Sequence, residues 1–238
     1  MSVRFRESGE ELVLFVHGLG CSKENWRDAW GRKELRDRTL LAADLPGFGH
    51  SDCPNDFAAD LSSYAQVIHA LIDAHAVRSI HLVAHSMGGS ACLLLPDRVL
   101  ARLKSLILIE PRIFLSSCTI ATSAVGVTYD EFAQTVFPAI NRQMSRDPRM
   151  AYDLGRTDVR AFYHSGLSLI DWTSRRALLE RYALADCRKF FVYGADNGHL
   201  QELSFLEPVV GIEQAGHFAM LDNPDGFYAC LAQIMDGQ

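Results

Sequence analysis

Short runs of consecutive apolar residues constrain the fold of this chain more than any other feature of its sequence. The run Leu12–Val16 has the continuous apolar character of a strand that is covered on both faces. Helical patterns alternate with such runs, for example from Asp60 to Ala76 and from Pro224 to Met235. This alternation predicts βαβ units and therefore an α/β fold with a mostly parallel central sheet flanked by helices. The other predicted strands are Thr39–Ala43, Ser79–Ala84, Leu103–Ile109, Lys189–Tyr193 and Pro208–Ile212.

The strand signal stops between about residues 111 and 173, where helical segments with irregular links replace it. Because strands return after this segment, we interpret it as an insertion into one domain rather than as a second domain. The expected organisation is an α/β core formed by residues 1–110 and 174–238, with residues 111–173 forming a helical lid.

Composition excludes several classes of function. The net charge is −6, and no run of Lys or Arg is longer than a pair, so the chain is a poor candidate for binding nucleic acid. No apolar run approaches the ~20 residues of a membrane-spanning helix, and the charged start lacks the apolar core of a secretory leader. The 6 cysteines are scattered without C-x-x-C pairs or zinc-ligand spacing. We therefore expect reduced thiols, a cytoplasmic protein and no bound metal.

One local motif carries a chemical signal. The sequence Ala84-His85-Ser86-Met87-Gly88-Gly89 follows a predicted strand and precedes a predicted helix. A serine on such a sharp strand-to-helix turn is pushed out of the sheet with its hydroxyl exposed. The usual pattern is G-x-S-x-G, and here Ala84 replaces the first glycine. By itself the motif is equally consistent with an N-cap serine at the start of a helix.

Further motifs occur in a defined order around this turn. His17-Gly18-Leu19-Gly20 follows the first predicted strand, and Asp44-Leu45-Pro46-Gly47-Phe48-Gly49-His50-Ser51 follows the second. Ala215-Gly216-His217-Phe218 lies between the last strand and the last helix. With these motifs, nearly the whole chain resembles the α/β-hydrolase family. The resemblance is specific for the fold and leaves the substrate open.

The resemblance implies a catalytic role for several of these residues. Ser86 would be the nucleophile, activated by His217 as the base that later protonates the leaving group. The backbone amides of Leu19 and Met87 would form the oxyanion hole. His17 is expected to have a structural role, and His85 is not expected to act as the base, because adjacent side chains on a tight turn diverge.

The carboxylate that orients His217 has two candidates. The family usually carries it in a G-x-x-D pattern after the strand before the last, but counting from Gly194 that position is Asn197, and Asp196 lies one residue early. Glu110 is the alternative, at the end of the strand that follows the nucleophile. The pattern favours Glu110 and leaves Asp196 open.

The expected activity is hydrolysis of a small-molecule ester, thioester or lactone through an acyl-enzyme, without a cofactor. Acyl transfer, cyclisation, C–C cleavage and a receptor role remain alternatives within the same fold, and the sequence does not specify an oligomeric state. Trp26, Phe114 and Trp172 are candidates for the substrate pocket, although packing of the lid explains the aromatic residues of the insertion equally well. Arg112, which follows Glu110 closely, is interpreted as a solvated side chain.

Overall fold

A computed structural model describes residues 1–75, 79–197 and 206–237 of the chain. Its centre is a 7-stranded sheet with the order β1-β3-β2-β4-β5-β6-β7. Strand β1 is antiparallel to β3, and the remaining pairs are parallel. The predicted α/β fold with a mostly parallel sheet is thus confirmed. The strands are β1 Val3–Arg6, β2 Glu11–Val16, β3 Thr39–Ala43, β4 Ser79–His85, β5 Ser105–Ile109, β6 Lys189–Gly194 and β7 Val209–Ile212.

Helices connect the strands and cover the sheet. The α-helices are α1 Leu61–Asp73, α2 Met87–Cys92, α3 Asp97–Leu100, α4 Tyr129–Glu131, α5 Phe137–Met144, α6 Pro148–Leu154, α7 Val159–Ser174, α8 Ala177–Leu184, α9 Ala219–Asp222 and α10 Pro224–Asp236. A π-helical turn, Phe132–Val136, joins α4 to α5. The 3-10 turns are Lys23–Gly31, Lys33–Leu35, Leu115–Ser117, Ala121–Ala124 and Ala195–Asn197. Within the described ranges, none of the helices has the length and apolarity that crossing a bilayer requires.

Alternate residues of each central strand face opposite layers, which explains the uninterrupted apolar runs. In β2, Leu12 and Leu14 pack with α1, α2 and the inserted helices, whereas Val13 and Phe15 pack with α10 on the other face. All of these side chains are fully buried. A strand covered on both faces needs apolar residues at every position, so the sequence has no polar alternation there.

The segment between β5 and β6 forms a layer of helices above the carboxyl ends of the strands. Helices α4 to α6 lie within the predicted insertion, and α7 ends at Ser174, one residue beyond the predicted boundary. This layer is tied to the core, since Ser22 Oγ donates to Asp153 Oδ1 at 2.6 Å and the Asp158 amide donates to the Gly47 carbonyl at 2.8 Å. The cavity described below lies between this layer and the strand ends.

Asp44 organises the loops at the same end of the sheet. It is fully buried, its Oδ2 accepts from Lys23 Nζ at 2.6 Å and from the His50 amide at 2.9 Å, and its Oδ1 accepts from the Lys23 amide. Burial by itself raises the pKa of Asp44, but the hydrogen bonds from Lys23 and His50 outweigh it and hold the pKa below its usual range. A side chain at Gly49 would lie 2.4 Å from the Asp44 carboxyl carbon, so only glycine allows this approach.

Replacing Asp44 with asparagine is expected to lower the free energy of unfolding by about 3–5 kcal/mol, because it leaves the Lys23 ammonium buried without its counter-charge. Urea denaturation at pH 7 measures this loss. Asp52→Asn is the matched control, since it removes the same charge from an exposed position in the same loop and should change stability by less than about 0.5 kcal/mol. Equal stability of the two variants would contradict this role of Asp44.

Candidate active site

Ser86 occupies a strained turn between β4 and α2. Its φ of +53° lies in the left-handed region, which residues with a Cβ atom rarely adopt. The Ser86 amide donates to the Ile109 carbonyl at 2.9 Å, which fixes the turn to β5. A Cβ atom at Gly88 would lie 2.3 Å from the His17 carbonyl oxygen, so glycine is required where α2 passes the loop after β2. Ala84 lies within β4 with ordinary strand pairing, so its methyl group is accommodated.

Three side chains from different parts of the chain form a hydrogen-bonded series. Ser86 Oγ lies 3.2 Å from His217 Nε2, and His217 Nδ1 lies 2.6 Å from Glu110 Oε2. Because Glu110 is the acceptor, Nδ1 carries the proton, and the lone pair of Nε2 is directed to the serine hydroxyl. The structure therefore brings together the predicted nucleophile, the predicted base and the favoured one of the two candidate acids.

Glu110 is held in this position by both of its oxygens. Oε1 accepts from the Gly194 amide at 3.0 Å and from Asn197 Nδ2 at 2.5 Å, while Oε2 faces His217. Burial raises the pKa of Glu110, but the hydrogen bond with His217 and its charge, together with the amide donors, outweigh burial and lower the pKa below its usual range. The carboxylate is therefore ionised at neutral pH.

Asp196 does not take part in this series. Its side chain is exposed, and its backbone amide donates to the Ala215 carbonyl at 3.0 Å. The one-residue offset from the usual acid position turns it away from His217. Asn197, which occupies that position, instead donates to Glu110, a role that sequence reasoning missed. An amide where the family places an acid was the available signal, because it fits a partner carboxylate that comes from another strand.

His217 is poised to act as a base. Its side chain is 22% exposed, so a substrate can reach it from the cavity. Burial lowers the pKa of His217, and the positive charge of Arg112 lowers it further, whereas the contact with Glu110 acts in the opposite direction. The net pKa lies below the usual value, so the imidazole is predominantly neutral at pH 7.

His85 supports the loop that carries His217. It is fully buried, and its Nε2 donates to the His217 carbonyl at 2.9 Å. The two rings lie 4.5 Å apart between centroids. Burial lowers the pKa of His85 well below its usual value, so the ring is neutral. His85 thus fixes the backbone of His217 rather than acting as the base.

The predicted oxyanion-hole residues lie on either side of this turn. Leu19 borders the cavity, and Met87 is the first residue of α2. A Cβ atom at Gly18 would lie 2.9 Å from Ser86 Cβ, which shows how closely the loop after β2 approaches the serine. In the described part of the chain, no acceptor takes a hydrogen bond from the amide of Leu19 or Met87. Both amides are therefore available to an added acceptor.

A cavity opens directly above Ser86 and His217. The inserted helices supply most of its apolar wall through Met144, Met150, Leu154, Phe162 and Leu169. Arg112 also borders the cavity, which differs from the solvated position expected for it.

The aromatic residues proposed for the pocket lie elsewhere. Trp26 is fully buried on the opposite face of the sheet, where its ring stacks on Phe15 with centroids 5.1 Å apart. This corrects the expectation that Trp26 faces the pocket, because the sheet separates the two. Trp172 borders a surface groove beside Leu94 and Leu95. Phe114 packs against the core, and neither of these two is among the described residues that line the cavity.

Residues 13–229 match a family model described as "Alpha/beta hydrolase family". The chain is 36% identical over 109 residues to a probable lysophospholipase BODYGUARD 4 of Arabidopsis thaliana, covering 45% of this chain and 26% of that protein. It is 35% identical over 104 residues to the acetyltransferase component of an acetoin cleaving system of Cupriavidus necator, covering 43% of this chain and 27% of that protein. The matches thus span about a quarter of these relatives. The solved structure of the N-acyl homoserine lactonase AidH with N-butanoyl homoserine superposes with a TM-score of 0.79 at 18% identity, covering 98% of this chain and 91% of that one.

Proposed function

The chain belongs to the alpha/beta hydrolase family, as its motifs predicted, and from this premise we propose that it is a serine hydrolase that cleaves a carboxylic ester, thioester or lactone. The series from Ser86 through His217 to Glu110 carries the proposal, because its distances of 3.2 and 2.6 Å are those that activation of a serine requires. The position of the series at the floor of a mostly apolar cavity supports a small organic substrate.

The reaction follows from these positions. His217 Nε2 takes the proton of Ser86 as Oγ attacks the substrate carbonyl, and the Leu19 and Met87 amides bind the oxygen that becomes negative. Glu110 holds the ring by its Nδ1 proton and offsets the charge of the imidazolium. His217 then protonates the leaving group, and water activated by the same imidazole hydrolyses the acyl-enzyme.

The names of related proteins are consistent with this chemistry. A lysophospholipase and a lactonase both open bonds between an acyl carbon and an oxygen, one in an open-chain ester and the other in a ring. We propose that this chain acts on the same class of bond.

A fluorophosphonate probe tests the proposal, because it reacts with a serine only when the hydroxyl is activated beside an oxyanion hole. We expect one adduct per folded chain, located on Ser86 by peptide mass spectrometry, and no adduct after heat denaturation. The Ser86→Ala variant should remain unlabelled. Folded protein that resists the probe would instead favour a ligand-binding role for the same cavity.

A further inference from the structure

Arg112 lies against the imidazole of His217. Its Nη2 atom is 2.9 Å from Nε2 and 3.2 Å from Nδ1 of the ring. An atom almost equally distant from both ring nitrogens must lie over the face of the ring, because an in-plane position would collide with the carbon between them. The Nη2 end of the guanidinium therefore lies over the face of the imidazole, and the lone pair of Nε2 stays available to Ser86.

The backbone fixes Arg112 at this place. It follows Glu110 by two residues at the end of β5, and its carbonyl accepts from Ser90 Oγ at 3.0 Å. The side chain borders the cavity, and burial lowers the pKa of Arg112. A guanidinium nevertheless stays charged at neutral pH. The cavity thus contains a cation at its catalytic end.

No described carboxylate is free to neutralise this cation. Glu110 is the acidic residue whose charge acts on Arg112, but its oxygens are engaged by His217, Gly194 and Asn197. Among the described residues, no Asp or Glu forms an ion pair with Arg112. A partly buried cation without a paired anion is costly, and the cost is recovered when a ligand supplies the anion.

The proposed reaction places a second positive charge beside the Arg112 guanidinium. When His217 takes the serine proton, an imidazolium forms about 3 Å from the guanidinium. Glu110, with a smaller contribution from Asp222, then offsets two neighbouring positive charges. An anionic group bound to Arg112 would remove this repulsion in the transition state. It would also lie near the scissile bond, because Nη2 is no more than about 6 Å from Ser86 Oγ by the path through Nε2.

We propose that Arg112 is the anion-binding residue of the cavity and that the substrates are esters or thioesters carrying a carboxylate near the scissile bond. A single carboxylate fits better than a phosphate dianion, since Arg112 is the only Lys or Arg among the described residues that line the cavity. This inference rests on the hydrolase function proposed above and adds the class of substrate.

Two matched substrate pairs test it. One pair places the charge on the acyl side, comparing p-nitrophenyl hemiadipate with p-nitrophenyl hexanoate. The other places it on the leaving group, comparing 4-carboxyphenyl hexanoate with its neutral 4-carbamoylphenyl isostere. We expect the native protein to prefer the carboxylate in at least one pair, and the pair that shows the preference identifies the side that Arg112 contacts.

Arg112→Gln is expected to lower that preference in kcat/KM by about tenfold or more, mainly through a higher KM for the anionic substrate. Its kcat/KM for the neutral ester should rise, because the imidazolium no longer faces a fixed cation. Arg112→Lys keeps the charge and should retain part of the preference. The lysine variant also controls for a loss of folding caused by the glutamine.

The pH profile supplies a readout that a purely structural role would not move. In the native protein, Arg112 lowers the pKa of His217, whereas the Glu110 and Asp222 carboxylates raise it, and the neighbouring His85 ring is neutral. These other groups are the same in each Arg112 variant. Removing the positive charge of Arg112 stabilises the protonated form of His217, so the pKa of His217 rises. The acid limb of kcat/KM for the neutral ester should therefore move to higher pH in Arg112→Gln and stay close to its native position in Arg112→Lys.

The proposal is wrong if the native protein shows no preference in either pair, or if Arg112→Gln lowers both members of each pair equally. Failure of the hydrolase function looks different, since no ester would then be cleaved and Ser86 would resist the fluorophosphonate. In that case calorimetry of monomethyl adipate binding to Ser86→Ala, with and without Arg112→Gln, decides the anion site. Binding that is equal in the two proteins overturns it, and binding at least tenfold weaker in the double variant supports it.

Discussion

The Ser86→Ala variant is expected to lose about six orders of magnitude in kcat for its best ester. Without Oγ no acyl-enzyme can form. His217 Nε2, which lies 3.2 Å from Oγ in the native protein, can then activate only water. A residual acceleration of about 10³-fold to 10⁴-fold over the uncatalysed reaction should remain, since the oxyanion hole and the cavity are intact.

This loss is measured best in a single-turnover assay with enzyme in excess, against the rate in buffer. Alanine keeps the Cβ atom and the backbone demands of serine, so the strained φ of +53° should not distinguish the two proteins. Equal thermal midpoints of native and variant protein therefore serve as the control. A decrease smaller than about a hundredfold would place the nucleophile at another residue.

Glu110→Gln is expected to lower kcat by about 10⁴-fold. The amide retains the shape of the carboxylate, and its oxygen still accepts from Gly194 and Asn197. Its NH₂ group would then face His217 Nδ1 as a donor, which stabilises the tautomer whose proton is on Nε2. That tautomer cannot accept the serine proton, and the imidazolium loses its counter-charge.

Asp196→Asn is the matched control for this experiment. It makes the same chemical change on an exposed side chain near the same loop, and we expect kcat to change less than about threefold. The comparison of the two variants in one ester assay decides which carboxylate orients the base. A larger loss in Asp196→Asn than in Glu110→Gln would reverse the assignment.

The strands could be predicted because their signal is local. Four consecutive apolar residues after Thr39 mark β3, and the structure gives this strand the predicted bounds Thr39–Ala43. Strand β1 does not stand out in the sequence because Val-Arg-Phe-Arg is short and alternates, with Val3 and Phe5 both about half exposed. An edge strand of this kind obtains its structure from pairing with β3, which the local sequence does not encode.

Pocket residues were harder to predict, because a tryptophan carries the same apolar signal on either face of a sheet. Trp26 follows the loop after β2 by only a few residues, yet its ring packs on Phe15, whose side chain points away from the cavity. The sequence likewise predicts a solvated side chain for Arg112, because nothing near it in the chain indicates what it contacts. Its neighbour in space, His217, is 105 residues away in the chain.

The amino-acid sequence suffices to predict the parallel sheet, the serine turn between β4 and α2, and the loop that carries His217 before the last helix. These features depend on short-range patterns, namely strand hydrophobicity and the small residues that a sharp turn requires. The sequence does not show that Glu110 contacts His217, that Arg112 lies over the His217 ring, or on which face of the sheet the cavity opens. Those relations depend on how the ends of β4, β5 and β7 converge, which is set by packing across the whole sheet rather than by neighbours in the chain.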